Sequence, residues 1–216
     1  MIPLRLIPYS EHEPSLNMAL DWVLFRETIE NGLPFLRFYG FYPPGVTIGR
    51  FQKGIPNGLE GYPCARRPTG GRAVLHDGDL VFSLSGWHNS GLFAGSVSET
   101  YRATAEILAE AAARLGLAVE VEEGRSQAYD RSGLCFRATS RYEIKLMGKK
   151  VIGIAQAREK GAFLEQGSIY LPVDKNAYMA EIKRGFSERG FLLEEKGITQ
   201  QEFERAKLAQ KEFEIT

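Results

Sequence analysis

The residues best suited to chemistry in this 216-residue chain begin with a short segment rich in arginine and glycine. Residues 66–77 read Arg-Arg-Pro-Thr-Gly-Gly-Arg-Ala-Val-Leu-His-Asp and are called the arginine–glycine segment. Gly70 and Gly71 let the backbone approach a ligand closely and permit φ > 0, and Thr69 adds a hydroxyl. Four cationic or titratable side chains crowd the same turn and favour a bound polar or negatively charged group: Arg66, Arg67, Arg72 and His76. A hairpin turn with solvated arginines remains the alternative, because short glycine motifs give many false positives.

A second segment combines a tight turn, lysines and small residues. Residues 148–156 read Gly-Lys-Lys-Val-Ile-Gly-Ile-Ala-Gln and follow an alternating apolar run at residues 142–146. This pattern predicts a β-hairpin around Met147 and Gly148.

Both segments resemble the signature of the superfamily of lipoate–protein ligases, octanoyltransferases and biotin protein ligases. Residues 68–76 are most similar to the cysteine-dependent octanoyltransferases that act on octanoyl-acyl-carrier-protein, since the ligases usually carry a third glycine where this chain has Arg72. The resemblance implies an α/β (α+β) fold of the biotin/lipoate ligase catalytic type, with mixed, mostly antiparallel sheets and packed helices. Residues 1–216 are expected to form one such domain, with a helical tail over residues 174–216 and no separate accessory domain.

The resemblance also assigns roles to individual residues. Cys135 matches the nucleophile of the octanoyltransferases, and Lys150 matches a lysine three residues before a glycine. The substrate-binding set that it implies is Arg67, Thr69, Gly70, Gly71, Arg72, His76, Gly153 and Ala155. The chain departs from the family pattern at three positions: Thr139 replaces a proline, Ile154 replaces a serine, and Gln166 replaces a histidine before Gly-Ser.

A cysteine and a lysine suit acyl transfer from a thioester. A free thiol with a pKa of about 8.5 is only slightly ionised at neutral pH, and a nearby ammonium favours the thiolate. Lys150 would supply that charge and later take the proton of the incoming amine, while backbone N–H groups near Gly70 and Gly71 would hold the oxyanion. The alternatives are a buried inert thiol at Cys135 and a solvated strand lysine at Lys150.

The function implied is transfer of an octanoyl group from acyl-carrier-protein to a lysine of a lipoyl domain or of the glycine-cleavage H protein. An ATP-dependent lipoate–protein ligase is the nearest alternative, and a non-catalytic acyl-binding or docking homologue is the alternative from another class. No Walker A, HExxH or GxSxG motif is present, and the three histidines are too scattered for a zinc motif. We therefore expect no cofactor and no metal.

Composition limits the partners and the compartment. A net charge of +0 and a pI of about 6.9 give no general preference for nucleic acid or for an anionic membrane. Two cysteines without a CxxC pair, together with the absence of a signal-peptide pattern, favour the cytoplasm. Residues 125–160 carry nine Lys and Arg against three acids, a local +6 that suits an acidic acyl-carrier-protein or, alternatively, solvated strand faces.

Periodicity and capping signals predict the elements that position these residues. Helices are expected from Pro14 to about Glu30, after the capping boxes that start at Ser96 and Thr199, and from Asp174 to about Arg184. Pro8 predicts a strand end or an edge strand. Residues 162–171 are expected to form a strand pair and residues 185–197 a loop. Cys64 is expected to be a packed structural thiol.

Overall fold

The computed structural model describes residues 1–89, 91–122 and 142–215. The helices of this part are α1 (Pro14–Asn31), α2 (Val97–Arg114), α3 (Lys175–Glu188) and α4 (Gln200–Phe213). The strands are β1 (Ile2–His12), β2 (Phe35–Phe41), β3 (Gly45–Ile48), β4 (Cys64–Arg66), β5 (Val74–His76), β6 (Leu80–Trp87), β7 (Val119–Glu122), β8 (Glu143–Leu146), β9 (Lys149–Glu159), β10 (Ala162–Ile169), β11 (Phe191–Glu195) and β12 (Glu214–Ile215).

The strands form two mixed sheets. The larger sheet has the order β11-β1-β2-β6-β10-β9-β8-β7, and the smaller has the order β12-β4-β3-β5. In the larger sheet β1 is parallel to both β11 and β2, while the other neighbours are antiparallel. The prediction of mixed, mostly antiparallel sheets with packed helices is confirmed.

Helix α1 is buried on nearly all of its sides. It starts at Pro14, a position where a missing backbone N–H costs nothing, and it ends at Gly32, which has a φ of 67°. Its apolar residues pack against the larger sheet and α4, while Asn17 and Asp21 are fully buried as well. Two buried polar residues on one helix require partners from other elements, and those partners define the candidate site.

Helices α2 and α3 cover the opposite face of the larger sheet. Ile107, Leu108 and Ile182 from these helices pack with the sheet residues Phe82 and Ile152 in the main hydrophobic core. The capping boxes of α2 and α4 are both present, with Ser96 and Thr199 accepting hydrogen bonds from the backbone of the glutamate three residues later.

Two expectations about strands are wrong, and one holds only locally. β1 lies between β11 and β2, but its pairing with β11 ends at Leu6, so Pro8 lies where β1 has β2 as its only neighbour among the described strands, at an irregularity between Ile7 and Ser10 that accommodates the missing N–H. Residues 162–171 contribute one strand, β10, between β6 and β9 instead of a strand pair. The predicted loop at residues 185–197 contains the end of α3 and the whole of β11.

Strand β11 escapes a local reading of the sequence because it is five residues long and only partly buried. Its order comes from parallel pairing with β1, far away in the chain. Residues 174–215 are therefore not only helical, since they add β11 to the larger sheet and β12 to the smaller one. No helix in the described part of the chain is long and apolar enough to cross a bilayer.

Candidate active site

The arginine–glycine segment crosses the small sheet instead of forming a simple hairpin. β4 and β5, which flank its turn, pair with opposite edges of β3. A Cβ atom on Gly49, just after β3, would lie 1.9 Å from the carbonyl oxygen of Gly71, so Gly49 must be a glycine for the turn to dock there. Gly71 itself has a φ of +90°, a conformation that favours glycine.

Two arginines of this segment point inward, where backbone carbonyl oxygens surround them. Arg66 Nη1 donates to the carbonyl oxygen of Gln52 at 2.7 Å. Arg67 is buried, and its two terminal nitrogens donate to the carbonyl oxygens of Thr47, Gly70 and Arg72 at 2.9–3.0 Å. These contacts fix the shape of the turn, so the alternative of solvated arginines does not hold for Arg67. Substrate contact by Arg67 and Arg72 stays a prediction.

Thr69 links this turn to the main sheet. Its side chain is fully buried, and its hydroxyl donates to Gln166 Oε1 on β10 at 2.7 Å. Gln166 Nε2 donates in turn to Asp21 Oδ2 on α1, also at 2.7 Å. The residue that replaces the family histidine therefore bridges the arginine–glycine segment and the central helix, a role that the sequence alone did not indicate.

Asp21 is the centre of a buried polar cluster, which we call the Asp21 cluster: Asn17, Asp21, Arg37, Tyr39 and Ser83. Arg37 Nη1 and Ser83 Oγ donate to Asp21 Oδ1 at 2.7 and 2.8 Å, and the Tyr39 hydroxyl donates to Asp21 Oδ2 at 2.8 Å. Arg37 Nη2 donates to Asn17 Oδ1 at 2.6 Å. Burial and the Asp21 charge raise the pKa of Tyr39 well above its ordinary value, so this hydroxyl remains a donor.

His76 lies in a second buried chain of polar contacts. Its Nε2 lies 2.8 Å from Thr47 Oγ1, and its Nδ1 lies 2.7 Å from Asp79 Oδ2. Ser168 Oγ on β10 donates to the same Asp79 oxygen at 2.5 Å, and the Phe41 ring stacks on the imidazole at 4.0 Å. His76 is thus oriented from several sides, while its contact with a substrate stays a prediction.

The small residues of the second segment meet the first segment. Gly153 and Ala155 on β9 pair across the sheet with Ser168 and Gln166 on β10. A Cβ atom on Gly71 would lie 3.7 Å from the Cβ of Ala155. The structure therefore brings Gly71, Ala155 and Gln166 to one face of the larger sheet, as expected for parts of a single site.

Lys150 reaches that same face because of a bulge in β9. The hairpin around Met147 and Gly148 is confirmed, but its register shifts so that Lys150 pairs with Lys145 whereas Ile152 pairs with Ile144. Ile144 and Ile152 face the main core, so Lys145, next to Ile144, faces the other side of the sheet together with its partner Lys150. Without the bulge, regular alternation would place Lys150 on the side of Ile152, away from Gly153 and Ala155.

The side chain of Lys150 is buried and paired. It is 3% exposed and donates a hydrogen bond to Glu143 Oε1 on β8, whose side chain is 4% exposed. Lys149 on the neighbouring position is exposed. The alternative of a solvated strand lysine therefore fits Lys149 and not Lys150. Sequence reasoning missed the carboxylate partner Glu143.

The predicted nucleophile, Cys135, lies outside the described residues, as does Thr139. The other cysteine, Cys64, is buried in β4 among Val46, Ile48 and Ala73, which confirms the packed thiol. Burial raises the pKa of Cys64, against the opposing effect of Arg66 and Arg67, and this disfavours the nucleophilic thiolate.

The described members of the basic stretch at residues 125–160 are largely engaged within the protein. Lys145 forms an ion pair with Glu122, and Lys150 pairs with Glu143. Arg158 donates to Gly95, Thr100 and Gln156, while Lys149 and Lys160 are exposed. Four of its cations, Arg125, Arg131, Arg137 and Arg141, lie outside the described residues. Among the described residues of this stretch, Lys149 and Lys160 are therefore the cations that remain exposed to a partner.

Glu165, next to Gln166, points to the other face of the sheet and titrates near neutrality. Thr104 and Gln156 donate hydrogen bonds to it, but burial raises its pKa to about 7. The native state thus holds this proton more tightly than the unfolded chain. The stability that this proton adds to the folded state is fully present below a pH of about 4.5 and is lost as pH rises through about 7.

We expect Glu165→Gln, which mimics the protonated acid, to be close to wild type at low pH and more stable at high pH. The pKa difference corresponds to at most about 3 kcal/mol in the free energy of unfolding. Urea unfolding of both proteins at pH 5 and pH 8.5 measures the gap. Parallel pH profiles for the two proteins would show that Glu165 does not titrate between these values.

Comparison with known proteins shows the family of this chain. The lipoyl protein ligase A/B catalytic domain matches residues 13–200. The octanoyltransferase LipM of Carboxydothermus hydrogenoformans is 37% identical over 186 residues, which cover 83% of this chain and 69% of that protein. The octanoyltransferase LipM of Bacillus subtilis is 37% identical over 185 residues, 80% of this chain and 66% of that protein. The chain therefore belongs to the lipoyl protein ligase A/B catalytic domain family.

Solved structures agree on the fold. A lipoate-protein ligase A bound with ATP superposes with a TM-score of 0.77 at 24% identity, covering 98% of this chain and 95% of that one. The Thermoplasma acidophilum protein Ta0514 with bound lipoic acid gives a TM-score of 0.76 at 24% identity, with the same coverage. The expected catalytic-domain architecture is thereby confirmed.

Proposed function

We propose that this protein is an octanoyltransferase that moves an octanoyl group from acyl-carrier-protein, through a thioester on Cys135, to a lysine of a lipoyl domain or of the glycine-cleavage H protein. The similarity to octanoyltransferases over more than four fifths of the chain carries this proposal. The buried Lys150, on the same face as Gly153, Ala155 and the arginine–glycine segment, supports it.

The chemistry proceeds in two balanced steps. The Cys135 thiolate attacks the thioester carbonyl carbon of the donor, a new C–S bond forms, the bond to the carrier sulfur breaks, and the carrier thiolate takes a proton from the Lys150 ammonium. The acceptor amine then attacks the enzyme thioester, a C–N bond forms, and the Cys135 thiolate is released. Thioester exchange is nearly balanced and amide formation is downhill, so no ATP is consumed. In this scheme the Lys150 ammonium favours the Cys135 thiolate, and the neutral Lys150 amine that the first step leaves receives the proton of the acceptor amine.

The proposed acceptor is a lipoyl domain. One structure with this fold comes from a bi-partite lipoate protein ligase and its E2 lipoyl domain of Thermoplasma acidophilum, at a TM-score of 0.75. The proposed donor is an acidic acyl-carrier-protein. The proposed compartment is the cytoplasm, where thiols such as Cys135 stay reduced.

The experiment that tests this function compares two acyl sources. With octanoyl-acyl-carrier-protein and no ATP, the lipoyl domain should gain one octanoyl group by mass spectrometry. With free octanoate or lipoate, ATP and magnesium, no acyl-adenylate and no modified domain should form. Adenylate formation that survives in Cys135→Ala would make the protein a ligase, and carrier binding without any transfer would make it a docking homologue.

Gln166 should act as a positioning residue for this reaction. We expect Gln166→Leu, which removes the bridge between Thr69 and Asp21, to slow acyl transfer about tenfold, the cost of leaving buried polar groups unsatisfied. Gln166→His keeps hydrogen-bonding capacity and should retain most activity.

The matched control is Ser85→Ala, which removes a buried hydrogen bond to Phe163 without touching the arginine–glycine segment. Steady-state transfer rates and thermal midpoints are compared for all three variants. If Gln166→Leu and Ser85→Ala lose stability equally while both keep wild-type rates, Gln166 has no positioning role.

A further inference from the structure

A β-turn beside the arginine–glycine segment carries an aromatic side chain in solvent. The N–H of Gln52 donates to the carbonyl oxygen of Gly49 at 3.0 Å, so residues 49–52 form this turn, with Arg50 and Phe51 at its tip. Phe51 is 84% exposed. We call these residues the Phe51 turn. The Phe51 ring projects into solvent.

The Phe51 turn is held rigidly against the arginine–glycine segment. Arg66 Nη1 donates to the carbonyl oxygens of Gly49, Arg50 and Gln52 at 3.2, 3.3 and 2.7 Å. The N–H of Arg50 donates to the carbonyl oxygen of Thr69 at 2.9 Å. A fixed turn loses little conformational entropy on binding, so an aromatic side chain at its tip is well suited to anchor a partner.

The surroundings of Phe51 are cationic. Residues 50–72 contain five Lys and Arg (Arg50, Lys53, Arg66, Arg67 and Arg72) and one acid (Glu60), but Arg66 and Arg67 point inward, so the exposed cations of this set are Arg50 and Lys53. Arg50 and Lys53 are exposed on either side of Phe51, and the Arg50 guanidinium lies 5.8 Å from the centre of its ring. An aromatic residue flanked by exposed cations fits an acidic protein surface with an apolar centre.

We infer that the Phe51 turn, with Lys53, docks the acidic carrier protein that presents the octanoyl thioester. This inference rests on the proposed function and names the surface used in its first step. The turn touches Gly71 and Thr69 directly, so a carrier seated there delivers its thioester to the arginine–glycine segment. In the described part of the basic stretch at residues 125–160, Lys145 and Lys150 are held in ion pairs with Glu122 and Glu143, whereas Arg50 and Lys53 beside Phe51 are exposed.

The test compares a carrier-bound donor with a small one. The rate of acyl-enzyme formation is measured with octanoyl-acyl-carrier-protein and with the octanoyl thioester of pantetheine, which has no protein surface. Phe51→Ala should slow loading from the carrier about tenfold, the usual size of an aromatic anchor effect. The Arg50→Glu, Lys53→Glu double variant should do the same and should flatten the decrease of wild-type loading with added salt. Loading from the small thioester should be unchanged.

Two matched controls lie elsewhere on the surface. Leu208→Ala removes an apolar side chain that is also 84% exposed, and Lys160→Glu reverses an exposed charge. Both should leave loading from the carrier unchanged.

Three results would overturn the inference. Equal loss with both donors would place Phe51 in the acyl pocket, and wild-type loading from the carrier would remove any docking role. A loss confined to the second step would assign the surface to the lipoyl domain. If the wild-type protein loads from neither donor, the proposed function fails and this inference falls with it.

Discussion

Lys150→Met is expected to reduce acyl transfer to the acceptor lysine by about 10²–10⁴-fold, the range typical of a lost acid–base group. The substitution removes the ammonium that is buried beside Glu143 on the site face. It thereby removes both the charge proposed to favour the Cys135 thiolate and the group proposed to take the amine proton. Transfer is followed by the mass of the lipoyl domain, and thiolate formation by the rate of Cys135 alkylation with iodoacetamide near neutral pH.

The other lysine variants separate the two roles. Lys150→Arg keeps a positive charge that cannot accept a proton, so it should partly preserve alkylation while still blocking transfer. Glu143→Gln tests the partner that orients the ammonium, and it should slow both steps less than Lys150→Met. Lys149→Met is the matched control, since this side chain is exposed, and it should leave both steps intact. An essential Lys149 with a dispensable Lys150 would contradict the assignment.

The largest loss of stability is expected from Arg37→Met. This change leaves the fully buried Asp21 carboxylate without its guanidinium partner, which lies 2.7 Å away, and it also removes the hydrogen bond to Asn17. Breaking a buried ion pair on one side typically costs about 3–5 kcal/mol, because an uncompensated charge remains in the interior. Urea unfolding should show this decrease in the free energy of unfolding.

A double variant supplies the control for this prediction. Replacing both partners, in Asp21→Asn with Arg37→Met, removes the two charges together and keeps an acceptor oxygen at position 21, so it should cost less than Arg37→Met alone. The comparison therefore separates the penalty of a buried lone charge from the loss of packing. A cost below about 1 kcal/mol for Arg37→Met, within the range of an exposed pair, would mean that water reaches the Asp21 cluster.

The sequence predicts the helices and one hairpin well because their signals are local. The capping boxes, the Pro14 start of α1 and the hairpin at Met147 and Gly148 depend on residues only a few positions apart. Strand β11 is missed because its order comes from parallel pairing with a distant strand. The bulge at Pro8 is missed for a similar reason, since the register shift depends on pairing with β2, which follows only after the whole of α1.

The sequence predicts which residues belong to the candidate site better than it predicts the contacts that they make. The motifs correctly bring the arginine–glycine segment and the second segment to one face, where Gly71 approaches Ala155. They do not reveal that Arg67 is buried against carbonyl oxygens or that Lys150 has a carboxylate partner. Both facts depend on segments of the chain that come together only when the sheets form. Regular alternation would place Lys150 on the core-facing side of β9, whereas the bulge in β9 places it on the side of Gly153 and Ala155.

The central claim is that Cys135 carries the acyl group, and one mass measurement tests it most directly. After incubation with octanoyl-acyl-carrier-protein, the intact protein should gain one octanoyl group that hydroxylamine removes, and peptide mapping should place it on Cys135. Cys135→Ala should show no gain. A label on the buried Cys64, or no label while the lipoyl domain is still modified, would contradict the account.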